Sequence, residues 1–186
     1  MKKTYLFLLT SLVMFSVSVL KAQSTNYKPF KVDIAVGYAV PAGTGSKSGA
    51  VIAIEPKYSV DNNITLGLRF ESSRTSSSYV SGKTVFVGSV NATTSYLATA
   101  DYFFKGNKVR PFAGLGLGLY STGGVGAFGD SYYVSDGNKF GVVPRAGIEL
   151  GHFRAAIEYN AMGKDAFVNY NYLSFKVGFF LGGGEK

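Results

Sequence analysis

The chain has 186 residues, no Cys, no Trp, a single His, and 19 basic against 11 acidic side chains, for a formal charge of +8. Without Cys there is no disulfide framework and no thiolate metal site, and one His does not supply the several donors a metal centre needs. Nor is the positive balance a nucleic-acid surface, because the bases interleave with acids along the chain instead of gathering into a patch.

Lys2 and Lys3 precede a predominantly apolar run from Tyr5 to Leu20, which ends in Leu20-Lys21-Ala22-Gln23 with small Ala22 before the cut. This is the pattern of a secretory signal peptide. Residues 1–22 are expected to be removed, leaving 23–186 as a single domain of about 164 residues. A transmembrane anchor is the competing reading, but the run is short for a span and no second hydrophobic helix follows. With Lys2, Lys3 and Lys21 gone, the formal charge of +8 falls to about +5.

From Phe30 onward the chain alternates apolar and polar residues with a period of two, in segments of about ten residues, the length a tilted strand needs to cross a bilayer. The first segment, 30–40, turns Phe30, Val32, Ile34, Val36 and Tyr38 to one face and Lys31, Asp33, Ala35 and Gly37 to the other. The second, 50–60, sends Ile52, Ile54, Pro56 and Tyr58 outward and Glu55 and Lys57 inward. In the third, 64–71, Ile64, Leu66, Leu68 and Phe70 face out and Arg69 and Glu71 face in. The fourth, 94–104, has Tyr96, Ala98, Ala100, Tyr102 and Phe104 outside and Thr99 and Asp101 inside. The fifth, 109–120, turns Leu115, Leu117 and Leu119 out and Arg110, Phe112, Gly114, Gly116, Gly118 and Tyr120 in. The sixth, 140–150, places Arg145 and Glu149 inside. The seventh, 153–161, does the same with Arg154, Glu158 and Asn160, and the eighth, 170–181, with Lys176.

Short Asn/Gly-type turns at 61–63, 105–108 and 151–152 alternate with longer Ser/Gly-rich connections at 41–49, 72–90, 121–139 and 162–169. That alternation predicts an all-β, eight-stranded antiparallel up-and-down transmembrane β-barrel with short turns at one end and long loops at the other. Its interior receives Lys31, Lys57, Arg69, Arg110, Arg145, Arg154 and Lys176 together with Asp33, Glu55, Glu71, Asp101, Glu149 and Glu158. These segments put no charge on the outward face, where one Arg or Lys at mid-bilayer costs roughly 2–4 kcal/mol. Eight strands enclose only enough space for side chains to fill, and unpaired buried charge is expensive. A salt-bridged core is therefore expected rather than a pore. Outward aromatics cluster at both ends: Phe30, Tyr58, Tyr102, Phe104, Phe153 and Phe179 toward the short turns, Tyr38, Phe70, Tyr96, Phe140 and Tyr159 toward the long loops.

The run Asp61-Asn62-Asn63-Ile64-Thr65-Leu66-Gly67-Leu68-Arg69, the run Arg110-Pro111-Phe112-Ala113-Gly114-Leu115-Gly116-Leu117-Gly118 and the closing Leu173-Ser174-Phe175-Lys176-Val177-Gly178-Phe179-Phe180 resemble the small outer-membrane β-barrel family of the OmpA/OmpX type. The closing run is similar to that family's C-terminal sorting signal, although the chain continues through 182–186 instead of ending on an aromatic. The resemblance implies insertion by the barrel-assembly machinery, residence as a monomer in the outer membrane of a Gram-negative cell with both termini periplasmic, and contact with outer-membrane lipids and lipopolysaccharide. With one His and no Cys, no cofactor and no catalysis are expected.

Candidate chemistry is sparse. Gly114-x-Gly116-x-Gly118 lacks the helix that a dinucleotide fingerprint requires and is expected to make lumen space for Arg110 or Arg145. His152 falls in a predicted periplasmic turn, whereas a lipid-modifying barrel enzyme would need a His at the outer surface. The long loops remain. Tyr79, Phe86, Phe128, Tyr132 and Tyr133 sit among Ser and Gly, a versatile binding composition, and short alternating runs there could extend strands outward and expose a sheet edge. The expected function is a non-enzymatic outer-membrane barrel serving envelope integrity or surface interaction such as adhesion to an extracellular ligand. A narrow porin-like channel for small solutes and a lipid-modifying enzyme are the alternatives.

Overall fold

The computed structural model describes residues 28–42, 46–81, 84–106, 108–128, 131–163 and 169–183; at 46, 76–91 and 124–136 it describes backbone only. The segment assigned to the signal peptide lies outside the described residues. The strands are β1 (Phe30–Pro41), β2 (Ser46–Lys47), β3 (Gly49–Ser59), β4 (Ile64–Ser81), β5 (Thr84–Phe103), β6 (Val109–Phe128), β7 (Ser131–Leu150), β8 (Phe153–Asn160) and β9 (Tyr172–Gly182). Leaving β2 aside, each strand pairs antiparallel with the next in sequence, and β1 pairs with β9 from Lys31↔Gly182 to Pro41↔Tyr172. The two-residue β2 only continues β3 along β4. The fold is a closed eight-stranded up-and-down barrel.

Alternation explains why these segments are strands. Along β3 the odd-numbered Val51, Ala53, Glu55, Lys57 and Ser59 are buried while Ala50, Ile52, Ile54 and Tyr58 are exposed. The outside is an apolar belt: Leu68, Leu119, Val177 and Leu181 are each more than half exposed, with the aromatic side chains of both predicted rings also exposed. A contiguous apolar surface of this extent is not tolerated in water.

Two of the long connections are shorter than their sequence bounds, because the strands run on into them as their short alternating runs suggest. Segments 72–90 and 121–139 are mostly strand: β4 and β5 pair up to Ser81↔Thr84 and β6 and β7 up to Phe128↔Ser131. Their Ser, Gly and Thr residues masked the period of two, because small polar side chains suit either face of a sheet with water on both sides. The seventh segment is one residue shorter than predicted. The β7–β8 ladder runs between Arg145–Leu150 and Phe153–Glu158, then gives way to an isolated Val142↔Ala161 bridge in which Val142 donates to and accepts from Ala161. Pro144, on the same side of β7 as Val142, has no N–H to offer β8, so the ladder breaks there.

Closure by backbone hydrogen bonds should make the barrel heat-modifiable. Unheated protein is expected to run faster than boiled protein on a denaturing gel, and equal mobility would sink the closed-barrel fold.

Candidate functional site

Seven of the eight barrel strands send charges inward, and twelve of these side chains are buried: Lys31, Lys57, Arg69, Arg145, Arg154 and Lys176 against Asp33, Glu55, Glu71, Asp101, Glu149 and Glu158. Six cations face six anions, so the enclosed charge sums to zero. The contacts form one continuous chain along the barrel. Lys31 meets Glu149 at 2.5 Å, Glu149 meets Arg154 at 2.8 Å, and Arg154 meets Asp101 at 2.8 Å. Asp101 also holds Arg145 at 2.6 Å and Lys57 at 3.0 Å, and Lys57 reaches Asp33 at 2.7 Å. Glu55 joins the halves, pairing with Arg145 at 2.9 Å and Arg69 at 3.1 Å and accepting from Thr99 at 2.5 Å. Arg69 then grips Glu158, and Lys176 bridges Glu158 and Glu71.

β6 supplies no buried charge, and its Gly114 shows why. A Cβ there would lie 2.1 Å from Asp101 Oδ1 and 3.2 Å from Arg145 Nε. The glycine leaves space for the Asp101–Arg145 pair, as expected for Arg145 but not for Arg110. Arg110 corrects the sequence reading: it is half-buried at the short-turn rim, donates to the Asn62 carbonyl at 2.8 Å and lies 4.5 Å over the Phe103 ring.

Both ends of the ion chain are capped, largely by residues that sequence reasoning passed over. At the short-turn end Phe103, Phe112 and Phe180 are buried inward, with Lys31 4.4 Å over Phe180 and Arg154 3.7 Å over Phe112. At the other end Tyr172 donates to Glu71 at 2.8 Å and Tyr120 to Asn160 at 2.8 Å, under an apolar layer of Ala39, Leu97, Val143 and Met162. Lys139 lies 4.1 Å over the Tyr170 ring beyond that layer. Phe103 shares the odd phase of Asp101, and Phe180 and Tyr172 share the even phase of Lys176, so the period of two carried the signal. Between the caps, a cavity of about 20 Å³ beside Asp33, Ala35, Ala53 and Ala156 has room for about one water.

The other predicted sites separate from this core. Tyr79, Phe86, Phe128, Tyr132 and Tyr133 lie in the long hairpins, where Tyr79 pairs with Phe86 and Phe128 with Ser131; their side chains are outside the described residues. His152 sits in the short β7–β8 turn, its ring tilted 5.2 Å from Phe180. Among the described residues no group of His, Cys, Asp or Glu has the arrangement of a metal site.

No family model and no curated protein matches the chain. Solved structures do. Neisserial surface protein A is 20% identical, with a TM-score of 0.58 over 86% of this chain and 97% of that one. The outer membrane protein OprG of Pseudomonas aeruginosa is 12% identical, with a TM-score of 0.51 over 87% and 97%. The N-terminal β-barrel domain of Pseudomonas aeruginosa OprF is 15% identical, with a TM-score of 0.50 over 83% and 99%. The chain thus has the fold of the small outer-membrane eight-stranded barrels.

Asp101 touches three cations, and removing it leaves one positive charge uncompensated in a closed interior. Asp101→Ala is expected to cost about 3–5 kcal/mol, whereas Arg110→Ala at the half-buried rim is expected to cost about 1 kcal/mol or less. The heat-modifiable fraction remaining at increasing urea in lipid vesicles reports both, and equal midpoints for the two variants would contradict the paired-core account.

Proposed function

We propose that this chain is a non-enzymatic integral outer-membrane barrel that mediates surface interaction through the sheet rising from its long-hairpin end. The observation that carries this reading is an unpaired strand edge. β4 to β7 continue past the rest of the barrel, and β7 from Ser131 to Gly141 pairs with β6 on one side only; among the described residues no strand lies on its other side. Those eleven residues span about 35 Å. A free edge offers a row of backbone donors and acceptors to an added strand, which is how β-augmentation captures extended peptides. Evolved proteins normally cover or shorten such edges, so a long one above the apolar belt suits partner capture.

The capped, charge-neutral lumen supports this reading over the porin-like alternative, because buried aromatic side chains lie across it at both ends of the ion chain. Export by the N-terminal 22 residues, insertion by the barrel-assembly machinery, periplasmic termini, a monomeric state and lipopolysaccharide as surroundings belong to the same proposal.

Replacing 122–137 with a two-residue Asn-Gly turn closes the β6–β7 hairpin at Ser121↔Asn138 and removes most of the free edge. Cells carrying this variant are expected to lose adhesion to host or neighbouring cell surfaces with heat-modifiable mobility intact; unchanged adhesion would overturn the edge as the binding element. In planar bilayers the purified barrel is expected to be electrically silent, and steady single-channel openings would favour the channel instead.

A further inference from the structure

Among the described residues, the outward face carries charge at one place. Among the described side chains of the strands, Lys47 and Arg74 alone are charged and turned away from the lumen; both are exposed. Arg74 keeps the outward phase of β4, continuing Leu66, Leu68, Phe70 and Ser72. Lys47 reaches that face through a register shift. β3 pairs Val51 with Ser73, whereas β2 pairs Lys47 with Ser76, so four steps on one strand match three on the other. The extra residue is a β-bulge, a device that re-aims a side chain. Strict alternation from inward-facing Val51 would have pointed Lys47 into the lumen.

Gly49 holds the bulge closed: an added Cβ would sit 1.6 Å from the Arg74 carbonyl oxygen. Lys47 is therefore opposite Ser76 and diagonal to Arg74, a separation of about 7–8 Å between Cβ atoms. One phosphate group fits between two long cationic side chains at that spacing.

The surroundings specify what kind of phosphate. Ala50, Ser72, Ala92 and Thr94 around the pair are small and put no carboxylate beside it. Below them Phe70 and Tyr96 meet edge to face, 5.8 Å apart at 86°, with Ile52 and Tyr38 exposed alongside. Arg74 is four residues beyond Phe70 along β4, about 13 Å along the strand and about 10 Å along a membrane normal for a tilted strand. A cationic fork stacked above an apolar and aromatic wall matches an amphiphile whose anionic head lies directly over its acyl chains. Arg contributes a planar bidentate donor set for phosphate and Lys a mobile point charge.

We propose that Lys47 and Arg74, brought onto one face by the Ser48–Gly49 bulge, form a docking site for the phosphate of an outer-leaflet lipid, namely the phosphorylated glucosamine head of lipid A. The proposal rests on the outer-membrane reading above and on the long-hairpin end facing outward. It makes the β3–β4–β5 face a fixed lipid-contact surface, separate from the free edge of β7 across the barrel.

The test compares wild-type protein, a Lys47→Ser/Arg74→Ser double variant and a Lys105→Ser/Lys108→Ser control at the opposite rim. Each is folded into nanodiscs of phosphatidylcholine with added diphosphorylated lipid A, dephosphorylated lipid A or phosphatidylglycerol, and lipid retention is read by native mass spectrometry. Wild type is expected to retain diphosphorylated lipid A over the dephosphorylated form. The double variant is expected to lose about 10- to 30-fold in that retention, with the control unchanged. Equal retention by the double variant, equal retention of dephosphorylated lipid A, or an equal loss in the control would each overturn the site. Preferred retention of phosphatidylglycerol would overturn the assignment to lipid A. Heat-modifiable mobility, measured on the same samples, reports separately whether the barrel itself has formed.

Discussion

In hydrocarbon a backbone N–H or C=O has no water to bond, and each one left unsatisfied costs several kcal/mol. The β1–β9 pairing exists because of that constraint: it removes the last two edges where lipid would meet bare amides. Everything inside follows from closing the sheet at eight strands. A barrel that narrow has an interior only side chains can fill, so each inward residue lies within reach of residues from across the lumen. Charges placed there are enclosed, and enclosed charge must be neutralised. The balance of six cations and six anions satisfies that requirement.

Local pairing does not achieve the balance. Across β1 and β3 the register sets Lys31 opposite Lys57 and Asp33 opposite Glu55, like charges where a sheet would favour opposite ones. Diagonal and cross-lumen partners offset this repulsion: Lys57 turns to Asp33 and Asp101, and Lys31 to Glu149 on the far wall. β7 and β8, by contrast, place Glu149 opposite Arg154 and Arg145 opposite Glu158. Part of the network is thus ladder chemistry and part exists only once the sheet has closed. Coupling distant strands in this way ties the ion pairs to the completed barrel rather than to any hairpin within it.

The same sheet behaves differently at its two ends. Toward the short turns it stops where hydrocarbon stops, and the rings of Phe103, Phe112 and Phe180 close the lumen under Lys31 and Arg154. Toward the long hairpins β4 to β7 continue without the need to bury one face, so their composition drifts to Ser, Gly and Thr. On our reading, stability is concentrated in the lumen and recognition in that drift: a free edge on β7 and a re-aimed cation pair on the β3–β4 face. The two surfaces use different physics, backbone hydrogen bonds in one and charge above an apolar wall in the other.

Much of this was legible in the residue order, because a strand in a barrel repeats every two residues and lipid tolerates no charge on its face. The number of barrel strands, their phase, the inward placement of Glu55, Arg69 or Asp101, and the alternation of short and long connections all follow from that rule. The 72–90 and 121–139 segments did not yield to it, since a sheet wet on both sides imposes no alternation. Arg110 did not either: its phase is inward, but its position at the end of β6 leaves it half in solvent. Residue order alone determined the barrel and the polarity of each face, because both depend on period and composition along one strand. Which cation meets which anion, that Pro144 ends the β7–β8 ladder, and that Lys47 turns outward were decided only by the tertiary structure, because each depends on register between strands, and register is a relation that no single strand contains.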